Sequence, residues 1–146
     1  MRTTLVKGAW SGLLLWALVG PPAHAEIRIL SSPGGQIGPF LDLFEGIRQN
    51  GERVVIDGPC LSACTLVLSA VPNDRICVTQ RAVLGFHGAR SVDRRGRFFA
   101  EPEASAAVLE AYPAPVRDWI RRPGGLTSQL LLLHGHKLDH IIPSFQ

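Results

Sequence analysis

The chain has 146 residues, 46% of them hydrophobic and 18% charged. That balance excludes a disordered or collagen-like chain and fits one globular domain. The net charge of +3 rests partly on Arg2 and Lys7; with these set aside the basic residues lead the acidic ones by one, too small an excess to argue for a nucleic-acid partner.

Residues 1–25 read as an address. Arg2 and Lys7 precede an uncharged apolar run, Ala9 to Val19, which is short for a bilayer span. Gly20-Pro21-Pro22 ends it, and Ala23-His24-Ala25 has the small-x-small form of a signal-peptidase site. The expectation is export to the periplasm or medium of a bacterium, with cleavage after Ala25. Membrane contact would come only through an uncleaved leader. Residues 26–146 are then one domain.

Ile27 to Leu30 reads as a short strand, followed by a tight loop, Ser31-Ser32-Pro33-Gly34-Gly35. From Pro39 to Asn50 the apolar residues Phe40, Leu41, Leu43, Phe44 and Ile47 fall at helical spacing, and Asn50-Gly51 is a stop. Arg53 to Asp57 is a β-branched strand, and Gly58-Pro59 turns the chain. Ser62 to Ala70 suits a buried helix. Arg75 to Thr79 and Ala82 to His87 are further strands. This alternation predicts an α/β fold with βαβ units and a mostly parallel sheet. Ligand sites in such sheets lie past the carboxyl ends of strands. Ser32 to Gly35, Gly58 to Ser62, and His87 should meet there at one rim.

The remainder is more polar. Ala89 to Arg97, with Arg90, Arg94, Arg95 and Arg97, reads as an exposed loop. Pro102 to Tyr112 is an alanine-rich helix. Val116 to Arg122 and Thr127 to His134 read as two short helices. His134, His136 and His140 have a spacing that metals use, yet only Asp139 is near to complete a set, so the expectation is a polar C-terminal helix and no metal. No cofactor motif is legible.

Cys60, Cys64 and Cys77 make an odd number in an oxidising compartment, which implies one bridge and one free thiol. Only a short turn separates the helix carrying Cys64 from the strand carrying Cys77. A Cys64–Cys77 bridge with Cys60 free is therefore expected, and Cys60–Cys77 is the competitor.

Serine becomes a nucleophile when a base takes its proton and donors hold the oxyanion. Ser62 follows a Gly-Pro turn, so the N–H of Ala63 is available at a helix start. Gly34-Gly35 lets backbone approach a ligand closely and adds donor and substrate-binding capacity. His87 at a strand end is the candidate base.

These segments resemble a known family. Ser32-Pro33-Gly34-Gly35 is similar to the Ser-Pro-Gly-Gly signature of the Clp protease proteolytic subunit. Cys60 to Leu66 resembles the stretch around that family's nucleophile. Leu84-Gly85-Phe86-His87-Gly88 resembles the strand ending in its histidine, 25 residues after Ser62. The resemblance covers about Ile27 to Gly88 and is nearest to small exported Clp-like proteins. It implies a Clp/crotonase fold of repeated ββα units. It also implies serine hydrolase chemistry on a peptide or protein, with Ser62 as nucleophile, His87 as base, and an oxyanion hole at Gly34 and Ala63. The family's triad has a carboxylate downstream of the histidine. No Asp stands where that motif expects it, and Asp93, Asp118 and Asp139 are the candidates. Lys137 lies too near the C-terminus for a Ser-Lys dyad. A non-catalytic Clp-like protein that binds peptide or protein in the same cleft is the alternative. The sequence leaves the oligomeric state open.

Overall fold

The computed structural model describes residues 25–142. The leader expected over residues 1–25 lies, but for Ala25, outside them. The Ala25 carbonyl accepts the Arg53 N–H at 3.0 Å, at the entrance to the first strand.

Three parallel strands form the first sheet. β1 (Glu26–Ile29) pairs with β2 (Arg53–Ile56), and β2 pairs with β4 (Ile76–Val78). β1 alternates charged and apolar residues, as an edge strand with one covered face does. Val54, Val55 and Ile56 in β2 are all buried, as a central strand requires. The connection from β1 to β2 carries α1 (Ile37–Gln49), with Pro39 tolerated in its first turn. Ile37, Phe40, Phe44 and Ile47 form its inward seam at i, i+3 and i+4 spacing. Leu41 and Leu43, expected on that face, point to solvent.

The second sheet grows beside the first. β3 (Pro59–Leu61) pairs in parallel with β5 (Val83–Phe86). Gly58 makes the switch between sheets, because a methyl group there would sit 2.0 Å from the Leu30 carbonyl oxygen. After β3 the chain curls through a 3₁₀ turn, Ser62–Leu66, into the single-turn α2 (Val67–Ala70). One continuous helix over Ser62 to Ala70 is therefore corrected to two short pieces.

Two other expectations are overturned. Thr127 to His134 is not a helix: β8 (Leu131–His134) runs antiparallel to β5. Leu131 and Leu133 face inward while Leu132 and His134 face out, which is the period of a strand. A run of leucines hides that alternation, and only the open edge of β5 reveals it. Ala89 to Arg97 is largely exposed as expected but is not a loop throughout: β6 (Arg90–Val92) and β7 (Phe98–Ala100) form an antiparallel hairpin. The Asp93 carboxylate accepts the N–H groups of Arg95 and Arg97 and pairs with the Arg97 guanidinium, closing the turn.

The fold is thus mixed α/β, with small sheets and several helices. The β1-β2-β4 sheet is parallel, whereas β8 and the hairpin add antiparallel pairs. α3 (Pro102–Ala111) packs Val108 and Leu109, and α4 (Ala114–Arg121) packs Val116, Trp119 and Ile120, in or against the core, and α5 (His136–Ile141) follows β8. Val116 and Ile120 of α4 are buried, and Phe86 meets Tyr112 edge-on at 5.3 Å. No helix among the described residues is long and apolar enough to cross a membrane.

Candidate functional site

Parallel pairing decides which residues meet. β3 and β5 run side by side, with Leu61 opposite Gly85. Ser62 and His87 leave these neighbouring strands at the same ends, and paired strands lie about 4.8 Å apart. On the other side of β3, Ser32 bridges in parallel to Cys60, with the Ser32 N–H on the Pro59 carbonyl at 2.8 Å and the Leu61 N–H on the Ser32 carbonyl at 2.9 Å. Two residues past that bridge on each chain segment stand Gly34 and Ser62. Gly34, Gly35, Ser62, Ala63 and His87 all line one cavity of about 490 Å³.

Ser62 has φ of +55°, a left-handed conformation that an ordinary side chain adopts at a cost. Gly34, at φ +84°, packs its bare α-carbon on this turn. A methyl group there would lie 2.5 Å from the Leu61 carbonyl oxygen and from Ser62 Cβ, and 3.0 Å from the Ala63 nitrogen. Glycine at position 34 is therefore required by contact as well as by dihedral angle. The Gly34 N–H reaches Ser32 Oγ at 3.4 Å, a long bond that a better acceptor would displace.

His87 is held through its backbone neighbour. Nδ1 lies 2.7 Å from the Gly88 carbonyl oxygen. A carbonyl only accepts, so Nδ1 carries the proton and Nε2 of the neutral ring keeps its lone pair. The Gly88 N–H in turn donates to the Thr127 carbonyl at 2.6 Å, and Ser105 Oγ accepts the Ala89 N–H at 2.8 Å. Among the described residues none of Asp93, Asp118 and Asp139 bonds to His87. Asp93 is committed to the hairpin turn, where the Arg97 N–H above all holds its carboxyl below the usual range. Asp118 lies near Arg121 on α4.

The cysteines pair differently from the expectation. Cys60 and Cys64 form the disulfide, with Cα atoms 5.3 Å apart, and Cys77 is free and buried. The 3₁₀ turn folds Cys64 back over Cys60, within bridging range. Cys77 sits on β4 in the other sheet, opposite Val55, with its sulfur 3.7 Å from the Arg53 guanidinium. Cys64–Cys77 and Cys60–Cys77 are both excluded by this arrangement. The bridge brackets Ser62, and both of its halves are buried.

One pair of supporting residues escaped the sequence reading. Thr65 Oγ1 donates to the Ser62 carbonyl at 2.7 Å and lies 2.6 Å from the Tyr112 hydroxyl. With the Thr65 proton on Ser62, Tyr112 donates to Thr65. Burial pushes the Tyr112 phenol up to about 12, against a smaller lowering by the Thr65 hydroxyl, so it keeps its proton at neutral pH. A signal existed: Thr65 is a lone hydroxyl in the otherwise apolar Ala63 to Leu68, and a buried hydroxyl needs a partner. Among the described residues no group of His, Cys, Asp and Glu is placed to hold a metal ion. His134 belongs to β8, apart from His136 and His140 on α5. Compared with known proteins, the chain matches no family model and no curated protein.

Proposed function

We propose that this chain is an exported serine hydrolase, a peptidase, built on a Clp/crotonase-like arrangement of its small sheets. The observation that carries the reading is the shared cavity. Ser62 in a left-handed turn and His87 in a fixed tautomer open onto it together with Gly34 and Ala63. In the proposed reaction His87 Nε2 takes the Ser62 proton as Oγ attacks the substrate carbonyl. The N–H groups of Ala63 and Gly34 receive the oxyanion, Gly34 releasing Ser32 to do so. Gly35 lines the substrate side. The Gly88 carbonyl replaces a triad carboxylate as the orienting group. It fixes the ring but stabilises the imidazolium less than a carboxylate does, so turnover should be slow.

That same feature favours a second reading, a non-catalytic protein that holds a peptide in this cleft. A fluorophosphonate probe on the purified chain separates the two. Labelling that disappears in Ser62→Ala and falls sharply in His87→Ala supports the hydrolase. A folded, unlabelled wild type leaves the binding protein.

A further inference from the structure

We propose that Arg90 selects an acidic side chain on a peptide lying along the cleft beside His87. The inference takes the location of the substrate from the hydrolase reading but does not require turnover.

A second cavity of about 510 Å³ adjoins the first. His87, Gly88, Ala89, Arg90 and Phe98 line both, so the two form successive compartments of one trough past His87. Among the described residues neither compartment is lined by any Asp or Glu, and Arg90 is the one permanently charged residue that lines them. The Arg90 guanidinium lies over the Phe98 ring, 4.6 Å from its centre. Contact with a ring face uses none of the guanidinium's N–H donors, so they stay available to an anion. Arg97 on the same hairpin is neutralised by Asp93, whereas Arg90 makes no ion pair among the described residues. A cation over a ring on mainly apolar walls, with no carboxylate among the described lining residues, attracts an anion and has the donors for a two-pronged hydrogen bond.

The shape favours a peptide over a membrane surface. The cation borders two adjoining concave compartments of about 490 and 510 Å³, each with room for several side chains of one peptide. Arg94 and Arg95, which a lipid surface would need beside it, line neither of them.

The test measures binding by fluorescence anisotropy on the full chain carrying Ser62→Ala, so that hydrolysis plays no part. The probes are short labelled Ala/Leu-rich peptides with one Glu at each position in turn, and the matching Gln and Lys peptides. One Glu register should bind about five- to tenfold more tightly than its Gln partner. Arg90→Gln should erase that preference and Arg90→Lys should keep part of it. Arg90→Glu should transfer the preference to the Lys peptide. The double variant Arg94→Gln/Arg95→Gln should leave it intact, and circular dichroism checks the fold of each variant. Should Arg90→Gln unfold, the inversion between Arg90→Lys and Arg90→Glu decides. Equal binding of Glu and Gln peptides, no peptide binding, or a preference indifferent to Arg90 would overturn the proposal. So would Arg90-dependent capture by phosphatidylglycerol vesicles without peptide selection. An Arg90-dependent Glu preference in a protein whose native Ser62 takes no fluorophosphonate would end the hydrolase reading alone.

Discussion

Ser62 adopts a conformation that its own side chain disfavours, and three neighbours hold it there. Gly34 leaves the space beside its Cβ that any side chain there would fill, the Thr65 hydroxyl holds its carbonyl, and the disulfide closes the turn around it. Strain of this kind, about 1–2 kcal/mol, persists only where surrounding structure over-determines it. Ser62→Gly should therefore abolish probe labelling while leaving the melting temperature unchanged or higher. A clear fall in melting temperature would show that the turn is not strained. Gly34→Ala should have the opposite effect on stability, because both contact and φ oppose a side chain there. It should cost about 2 kcal/mol or more in urea unfolding and remove labelling as well. Tyr112→Phe deprives the buried Thr65 hydroxyl of its donor. A loss of about 1–2 kcal/mol is expected, against almost none for a surface tyrosine.

At the scale of elements, the Cys60–Cys64 bridge stabilises by closing a very short loop. Loop entropy assigns it about 2 kcal/mol, less than a bridge to Cys77 would contribute. Its larger effect is local, since it bends the chain directly after β3 where Ser62 must turn. Cys60→Ser/Cys64→Ser should lose about 2 kcal/mol of stability by denaturant titration and lose probe labelling out of proportion to that. A labelling rate equal to wild type in the folded double variant would remove the bridge from any positioning role. Both sulfurs lie in buried residues, so reductant should act only as fast as the region opens. The hairpin β6–β7 makes a comparable point. Its arginines read as a solvated loop until Asp93 is seen gathering two backbone N–H groups and the Arg97 side chain into a turn.

For the whole molecule, Asp57 ties the first sheet together. Its side chain is only 4% exposed and receives Arg81 through two bonds, the Thr79 hydroxyl at 2.6 Å and Arg28 at 3.1 Å. Arg81 is the chief cause, with Thr79 and then Arg28 adding, that its carboxyl is held far below the usual range. A carboxyl lowered in the folded state contributes stability that is complete above the unfolded value of about 3.9. That stability is lost as pH falls below this value toward the folded one. The wild-type melting temperature should therefore fall steeply below about pH 4. Asp57→Asn should be less stable at pH 7 and show a flatter decline in that range, as thermal scans from pH 7 to 2 would reveal. Equal slopes would mean that other carboxylates carry the acid response.

Much of this arrangement was present in the order of residues. Alternation in Ile27 to Ile29, the β-branched Val54 to Ile56, the seam of α1, and the placing of Gly34, Ser62 and His87 after strand ends all follow from local rules. Backbone preference and hydrophobic period act over a few residues and are written in those residues. What depended on long-range contact was not legible. The strand at Leu131 to His134 exists because β5 has an open edge to fill. The disulfide partner of Cys60 was decided by a 3₁₀ curl and by the assignment of Cys77 to a different sheet. The orienting partner of His87 is a backbone carbonyl, a group that every residue carries and that no side-chain pattern can mark. The Thr65–Tyr112 bond spans 47 positions and needs α3 folded against the turn at Ser62. Composition and periodicity determine which elements form and which ends carry polar chemistry; edge, register and partner are decided only when separated segments meet, because those energies belong to pairs of segments and to neither one alone.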